Sequence, residues 1–500
     1  LEQPIRETGP HLASLLAAEL QHAGDGPLYL RISDGLKRLV DRGDVGLGTV
    51  LPAERSLARS LSVSRSTVVS AYDRLKGEGW LESRRGSGTW VRRPDTNPAS
   101  VDAVATGRLF LASDGQVRPG DATRTRIPAG TIDLSVAALP ASPAVHSALA
   151  ALAADGLDEL LAHHGYLPHG LPALRTAVVD RLAARGITTD VERVVITTGA
   201  HQAISLIARQ TIQAGDSVIV ESPTFPGALD IFRRFGARAI PLPLDEHGAR
   251  TGLLEDLVLR SGAQVVYVSP DFHNPTGTIM PLERRMDIAR IAERTGIIVI
   301  EDQTMADVDL DGAELPPSIA SLAPDATVMT IGSTAKLFWA GLRTGWVNVP
   351  ADWVVRMLAT KTVADLGTPL LDQQLSVALL AQVDRVRAER AAELRPRRDA
   401  LIAALRSRLP DWSCTTPPGG LSLWVHLPSG NAEDFAELAL ESGVMTIPGP
   451  SLSVDDGNRR ALRLAFVEPE ARLVEAVERL AGAWERYEPA PPRPSARLLI

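Results

Sequence analysis

Between Pro27 and Val40 the apolar residues Ile32, Leu36, Leu39 and Val40 fall on one stripe at helical spacing, which predicts a helix. Gly46-Leu-Gly48 ends the connection after it, and Leu51-Pro-Ala-Glu-Arg55 opens a second, short helix through Leu61. Ser64 suits the N-cap of a third helix running to about Lys76, because its hydroxyl can accept from an orphan first-turn N–H. Val68, Tyr72 and Leu75 recur at i, i+4, i+7 and turn inward, leaving Arg65, Ser66, Thr67 and Ser70 near the exposed N-terminal turns. After Gly77-Glu-Gly79 the period shortens. Strands at Trp80–Ser83 and Thr89–Arg92 flank Arg84-Arg85-Gly86-Ser87-Gly88, a hairpin. Ahead of these elements, residues 1–25 hold only the weakly amphipathic stretch Leu12–Leu20 and are read as an N-terminal extension.

Residues 94–130 lose all sustained periodicity. Pro94, Asn97-Pro98, Gly107, Pro119-Gly120 and Pro128 punctuate a long, partly disordered tether. From 131 to 487 short apolar strands alternate with helices, the pattern of an α/β body with a mostly parallel sheet. Strands are expected at Val194–Thr198, Ser217–Glu221, Ala239–Leu242, Gln264–Ser269, Ile297–Glu301, Thr327–Ile331 and Trp346–Val349. A long helix, Ser376–Leu394, leads to a smaller C-terminal subdomain at about 395–487. The Pro/Arg-rich residues 488–500 form a loose tail.

Five hundred residues exceed one ordinary core, so about two or three domains are expected. The single cysteine, Cys414, excludes an internal disulfide framework and a Cys-based metal site. It fits a reducing cytoplasm, and neither a signal peptide nor a membrane-spanning apolar run is read. His163-His164, without carboxylate or Cys neighbours, reads as surface, so no metal site is expected. Charge changes the picture more. Residues 26–93 hold thirteen Lys/Arg against seven Asp/Glu, a net +6 in a chain of −8, which leaves −14 for the rest. A small basic module on a large acidic body points to a polyanionic partner for the module.

Three helices and a hairpin make a winged helix-turn-helix, whose third helix enters the major groove with its first residues at base edges. Arg65 is the candidate for a bidentate guanine contact, with Ser64, Ser66 and Thr67 beside it for base or phosphate. Arg84, Arg85 and Gly86 form the wing tip, and Arg55 opens the second helix where it can clamp the DNA backbone. The competing reading is a small helical domain for protein contacts; charge, helix order and wing together favour DNA. The segment LPAERSLARSLSVSRSTVVSAYDRLKGEGWLESRRGSGTWV resembles the GntR-type winged helix over the whole module, with Ala53 in place of the usual Ser.

In the body the chemistry starts from lysine. The chain has four, Lys37, Lys76, Lys336 and Lys361, and Arg supplies the other 48 of its 52 basic residues. A primary amine is what Arg cannot replace: only Lys condenses with an aldehyde. Lys336 follows Ser333 and Thr334 and precedes Arg343, two hydroxyls and a guanidinium of the kind a phosphate requires. A lysine Schiff base beside a phosphate cradle suggests pyridoxal 5'-phosphate. The competing reading is a surface Lys in a strand-to-helix loop. Thr197-Thr198-Gly199-Ala200-His201-Gln202 opens a helix after a strand, where N–H groups can hold phosphate. Phe225 can stack on a flat ring or be core. Asn274, in Asn-Pro-Thr-Gly, aims an amide off a strand end. Asp302 ends an apolar strand and needs a cationic partner, which a protonated pyridine nitrogen supplies; an N-cap or salt bridge would satisfy it too.

This order of residues resembles the fold-type I pyridoxal-phosphate enzymes, the aspartate aminotransferase superfamily, over roughly residues 131–487. The resemblance implies the internal aldimine at Lys336, Asp302 on the pyridine nitrogen, Asn274 on the ring hydroxyl and Phe225 stacked on the ring. It implies Ser333 and Arg343 on the phosphate. Tyr166-Leu-Pro-His-Gly170 is similar to the segment whose Tyr reaches the neighbouring subunit's phosphate, implying a homodimer. Ala461-Leu-Arg463-Leu-Ala-Phe466 is similar to the segment whose Arg grips a substrate carboxylate. One departure stands out. The family's Tyr shortly after the pyridine-pairing Asp is missing from Asp302-Gln303-Thr304-Met305, where Thr304 offers a shorter hydroxyl.

A GntR-type winged helix joined to an aminotransferase-like body resembles the MocR/GabR-type bacterial transcription regulators. The resemblance implies a regulator that senses pyridoxal phosphate or an amino compound through Lys336 and binds an operator as a dimer. A tether of this length lets the DNA module dock on the other subunit. Two alternatives stay open: a working aminotransferase with a secondary DNA module, and a cofactor-independent repressor whose body only dimerises.

Overall fold

The structure is a computed structural model that describes residues 8–21, 27–41, 44–45, 49–77, 80–84, 88–91, 130–155, 157–162, 164–455 and 457–488. It divides into two compact units, Leu1–Ala103 and Val104–Ile500. Residues 94–129 of the tether expected at 94–130, the wing residues Arg85 and Gly86, and tail residues 489–500 lie outside the described residues, as does the side chain of Arg84.

The N-terminal unit holds α1 (Gly9–Gln21), α2 (Leu28–Asp41), α3 (Glu54–Leu61) and α4 (Arg65–Gly77). A small sheet of order β1-β3-β2 accompanies them: β1 (Val50–Leu51), β2 (Leu81–Arg84) and β3 (Gly88–Val91). Two elements differ from the sequence reading. Val50 and Leu51 pair antiparallel with Trp90 and Thr89 instead of opening α3: the residue before a proline is disfavoured from helical backbone, so Leu51 stays extended for the pairing and α3 starts only after its N-cap Ala53. Residues 9–21, read as an extension, form a helix whose Leu12 and Leu16 are fully buried in the same core as Ile32, Leu36, Leu57, Val68 and Tyr72. Tyr72 donates its hydroxyl to the Pro52 carbonyl at 3.0 Å, tying α4 to the turn before α3.

The second unit is built on a sheet of order β5-β12-β11-β10-β9-β6-β7-β8. Its strands are β5 (Val194–Thr197), β6 (Ser217–Ser222), β7 (Arg238–Asp245), β8 (Gly248–Ala249), β9 (Val265–Val268), β10 (Ile298–Asp302), β11 (Val328–Ser333) and β12 (Gly345–Asn348). All of the expected strands are there. The pairs β7-β6-β9-β10-β11 are parallel, while β12 runs antiparallel to both β11 and β5, and β8 antiparallel to β7. Helices cover both faces, each burying its own apolar cluster. The expected helix Ser376–Leu394 is two helices, Leu370–Leu380 and Val383–Arg408; the second continues through Pro396 into the small subdomain.

That subdomain carries a four-stranded sheet, β13 (Ser413–Cys414), β14 (Ser422–His426), β17 (Ala461–Ala465) and β16 (Ile447–Pro448), in that order, backed by helix Glu470–Arg486. Trp412, Phe435, Trp484 and Tyr487 stack edge-on or tilted in its core, with centroids 5.2–5.6 Å apart. Strand β4 (Ile132–Asp133) pairs in parallel with β15 (Val444–Met445), so the start of the body is stitched into the subdomain made by its end.

Candidate functional site

On the N-terminal unit, Ser64 caps α4: its Oγ accepts from the Thr67 N–H at 3.1 Å and lies within 2.8 Å of the Ser66 and Thr67 hydroxyls. α3 ends on Ser62 in the left-handed region, φ 56°, giving the tight turn that swings α4 across α3. Arg55, Ser64, Arg65 and Ser66 are exposed, so the first turn of α4 presents a guanidinium and hydroxyls outward from a rigid base.

In the body most of the residues singled out in the sequence, from Thr198–His201 to Asp302 and Ser333, follow the carboxyl ends of the parallel strands, where α/β sheets hold ligands. The antiparallel β12 brings its first residue to that same edge. Gly345 lies between Ser333, at the end of β11, and Thr197, at the end of β5. A Cβ at Gly345 would sit 2.7 Å from the Gly199 carbonyl carbon, so glycine permits the turn at 198–201 to close against β12. Gly199, φ 81°, is the N-cap of helix Ala200–Thr211. Arg343, itself left-handed at φ 47°, packs its guanidinium over Gly199 and donates from Nη2 to the Thr198 carbonyl at 3.1 Å. Burial lowers the His201 pKa, with Arg343 adding to the effect. Ser333 Oγ donates to the Thr344 carbonyl at 3.1 Å and accepts from the Ala335 N–H at 3.1 Å. Thr334 donates to the same Thr344 carbonyl and is buried, so its hydroxyl is structural. Phe225 caps helix Pro226–Arg234, its ring against Gly227 near His201.

Asp302 ends β10, buried. Its Oδ1 accepts from the Thr304 N–H at 2.9 Å and its Oδ2 from the Tyr267 hydroxyl at 2.5 Å. Thr304 thus meets Asp302 through its backbone. Tyr267, fully buried in β9, is a member of the site that the sequence reading missed. Burial first, and then the adjacent Asp302, hold its hydroxyl protonated well above the ordinary tyrosine range. A buried tyrosine in an apolar strand was the available signal, since such a hydroxyl needs a partner.

Lys336 is partly buried and donates from Nζ to the Ala137 carbonyl at 2.8 Å. Desolvation lowers its pKa to about 8, with the nearby Arg463 cation adding to the fall and Asp302 opposing it. Arg463, on β17, is buried. It donates to Asn274 Oδ1 at 3.1 Å and to the Ser135 carbonyl, while its Nε has no partner among the described residues. Desolvation lowers the guanidinium pKa to about 10. Ala137, His273, Asn274, Lys336 and Ser422 share the wall of one cavity with Met305, so it lies between sheet and subdomain. The strap after β4, residues 134–137, was also missed from sequence; it supplies both backbone carbonyls. Tyr166 is 63% exposed.

These residues fit pyridoxal phosphate by their donor chemistry: a weakly basic amine, a buried carboxylate on the sheet edge, and a glycine-opened turn beside Arg343 and Ser333.

Residues 133–480 match the family described as aminotransferase class I and II, and residues 28–91 the bacterial regulatory proteins of the gntR family. An uncharacterised HTH-type transcriptional regulator of Bacillus subtilis, YdfD, is 28% identical, the match covering 89% of this chain and 94% of that protein. The probable rhizopine catabolism regulatory protein MocR of Rhizobium meliloti is 29% identical, over 79% of this chain and 80% of that one. Among solved structures, the α-aminoadipate aminotransferase LysN of Thermus thermophilus, complexed with N-(5'-phosphopyridoxyl)-L-leucine, superposes with a TM-score of 0.65 at 28% identity. It covers 77% of this chain and 98% of that one. The chain therefore belongs to the class I and II aminotransferase family and joins that fold to a gntR-family helix-turn-helix domain, as a MocR-like transcription regulator.

Proposed function

We propose that the body holds pyridoxal phosphate and senses an amino compound there, and that this changes how a homodimer engages an operator. The observation that carries the reading is Lys336 and Asn274 on the wall of one cavity, with Arg463 bonded to Asn274 and the charges of Arg463 and Asp302 both acting on Lys336, in a chain that also carries an exposed helix turn with Arg65.

When bound, the cofactor supplies an aldehyde that captures primary amines and a ring that withdraws electrons. Lys336 Nζ is the amine that holds it covalently; a lowered pKa leaves more of that amine unprotonated and nucleophilic at neutral pH. Asp302 keeps a proton on the pyridine nitrogen, and Tyr267 and Thr304 fix its two oxygens. Asn274 would meet the ring hydroxyl and Phe225 would cover the ring. Gly199, Ala200, His201, Ser333 and Arg343 hold the phosphate, with Tyr166 reaching the partner subunit's site.

Arg463 is the carboxylate receptor, its fork matched to a bidentate partner. It also joins β17 to Asn274 and to Ser135. An effector carboxylate that claims this guanidinium weakens both ties, so sheet, strap and subdomain are held differently with effector than without. Regulation requires such a difference in affinity between two states. Arg65, with Ser64, Ser66, Thr67 and Arg55, reads the operator.

The test is one sample scanned for visible absorbance and operator binding while pyridoxal phosphate, amines and amino acids are added. Wild type is expected to gain a cofactor band and to shift operator affinity on adding an effective amino compound; Lys336→Ala is expected to lose both responses. A band that survives Lys336→Ala sinks the lysine assignment. Multiple turnover of an amino donor with a keto acid would support the aminotransferase reading instead.

A further inference from the structure

A second lysine of the four, Lys361, is fully buried, on helix Val354–Asp365. Its Nζ donates to both Asp365 oxygens at 2.9 and 2.8 Å, to Thr368 Oγ1 at 3.1 Å and to Gln202 Oε1 at 3.3 Å. Those three side chains in turn surround Thr198. The Thr198 N–H donates to Gln202 Oε1 at 2.7 Å, and its hydroxyl lies 3.2 Å from Asp365 Oδ2 and 3.4 Å from Thr368 Oγ1. Gln202 Nε2 adds a bond to Asp365 Oδ2 at 2.7 Å. With Arg343 on the Thr198 carbonyl, every polar group of Thr198 is engaged. A compact ammonium fans its donors to partners in several directions, which a planar guanidinium cannot do, and this accounts for lysine in so arginine-rich a chain.

We infer that Lys361 is a positioning residue for the turn Thr198–His201: by fixing Gln202, Asp365 and Thr368 it orients Thr198 and pre-organises the turn for a phosphate monoester dianion. Lys361 itself touches no ligand. The inference rests on the reading that this turn takes the cofactor phosphate.

The experiment compares dissociation constants of the full-length chain for pyridoxal 5'-phosphate and for pyridoxal, which lacks the phosphate. Lys361→Met should lower affinity for the phosphate ester about tenfold or more and leave that for pyridoxal within about twofold. At saturation its Lys336-dependent absorbance should match wild type. Equal losses for the two compounds indicate a merely structural role and overturn the inference, as does an unchanged preference. Should Lys361→Met fail to fold, Gln202→Ala removes the bridging amide without stranding a charge, and is judged by the same ratio. A wild-type chain that takes both compounds equally overturns the phosphate reading and this inference with it. That result is distinguishable because it precedes any substitution.

Discussion

The first turn of α4 and the carboxyl edge of the central sheet assemble their chemistry over very different chain distances. On α4, Ser64, Arg65, Ser66 and Thr67 are consecutive, and the cap that holds them is a bond between residues three apart. On the sheet edge, Lys336 reaches a carbonyl 199 residues away and Arg463 one 328 residues away. The first arrangement needs only a helix with a good cap on a small core. The second exists only when strands, strap and subdomain are all in place. A substitution in one region should therefore read out differently from one in the other.

The largest effect expected is on the small core. Leu16→Ala, removing a fully buried side chain of α1, should destabilise the N-terminal unit by about 2–5 kcal/mol. Among the described residues its core cluster is made of N-terminal residues, so calorimetry should show an early transition lost or lowered while capture of pyridoxal phosphate at Lys336 is unchanged. Loss of both together would break the comparison. Next in size, Arg65→Ala should weaken specific operator binding by about 1–3 kcal/mol with the fold intact, if the exposed guanidinium reads a base. Equal binding in a gel-shift titration would remove Arg65 from the reading face. The smallest effect is a titration. Lys336 reacts as the free amine, so its capture of an aldehyde should be slow below its pKa and rise with pH through about 8, not through the ordinary 10.5. Arg463→Met removes a cation that disfavours the ammonium, a smaller cause than desolvation, so the midpoint of that rise should move up from about 8 without reaching the ordinary 10.5. A midpoint that falls, or stays put, would show that Arg463 does not act on Lys336 through charge.

The strands of the body were legible because each is a short apolar run between helices, and the helices of the N-terminal unit because their apolar residues keep helical spacing. Where pairing was the deciding force, the pattern was silent. Val50–Leu51 is too short to announce a strand, and only Thr89 and Trp90 make it one. The break at Ala381–Gln382 carries no glycine or proline, so the sequence ran one helix through it. Tyr267 is one more residue of an expected strand until Asp302 is beside it, and Lys361 only one of four lysines until Gln202, Asp365 and Thr368 enclose it.

The sequence by itself determined the two folds, their order and which candidate side chains follow each strand of the sheet, because periodicity, turn residues and chain order are properties of local stretches. Only the tertiary structure decided what each group leans on: Lys336 on the strap carbonyl of Ala137, Asp302 on Tyr267, Thr198 on the Lys361 network. Those supports come from segments far apart in the chain, and what makes them partners is the burial that packing imposes. A desolvated amine, carboxylate or hydroxyl must find a hydrogen bond, and which one it finds is fixed by the fold around it.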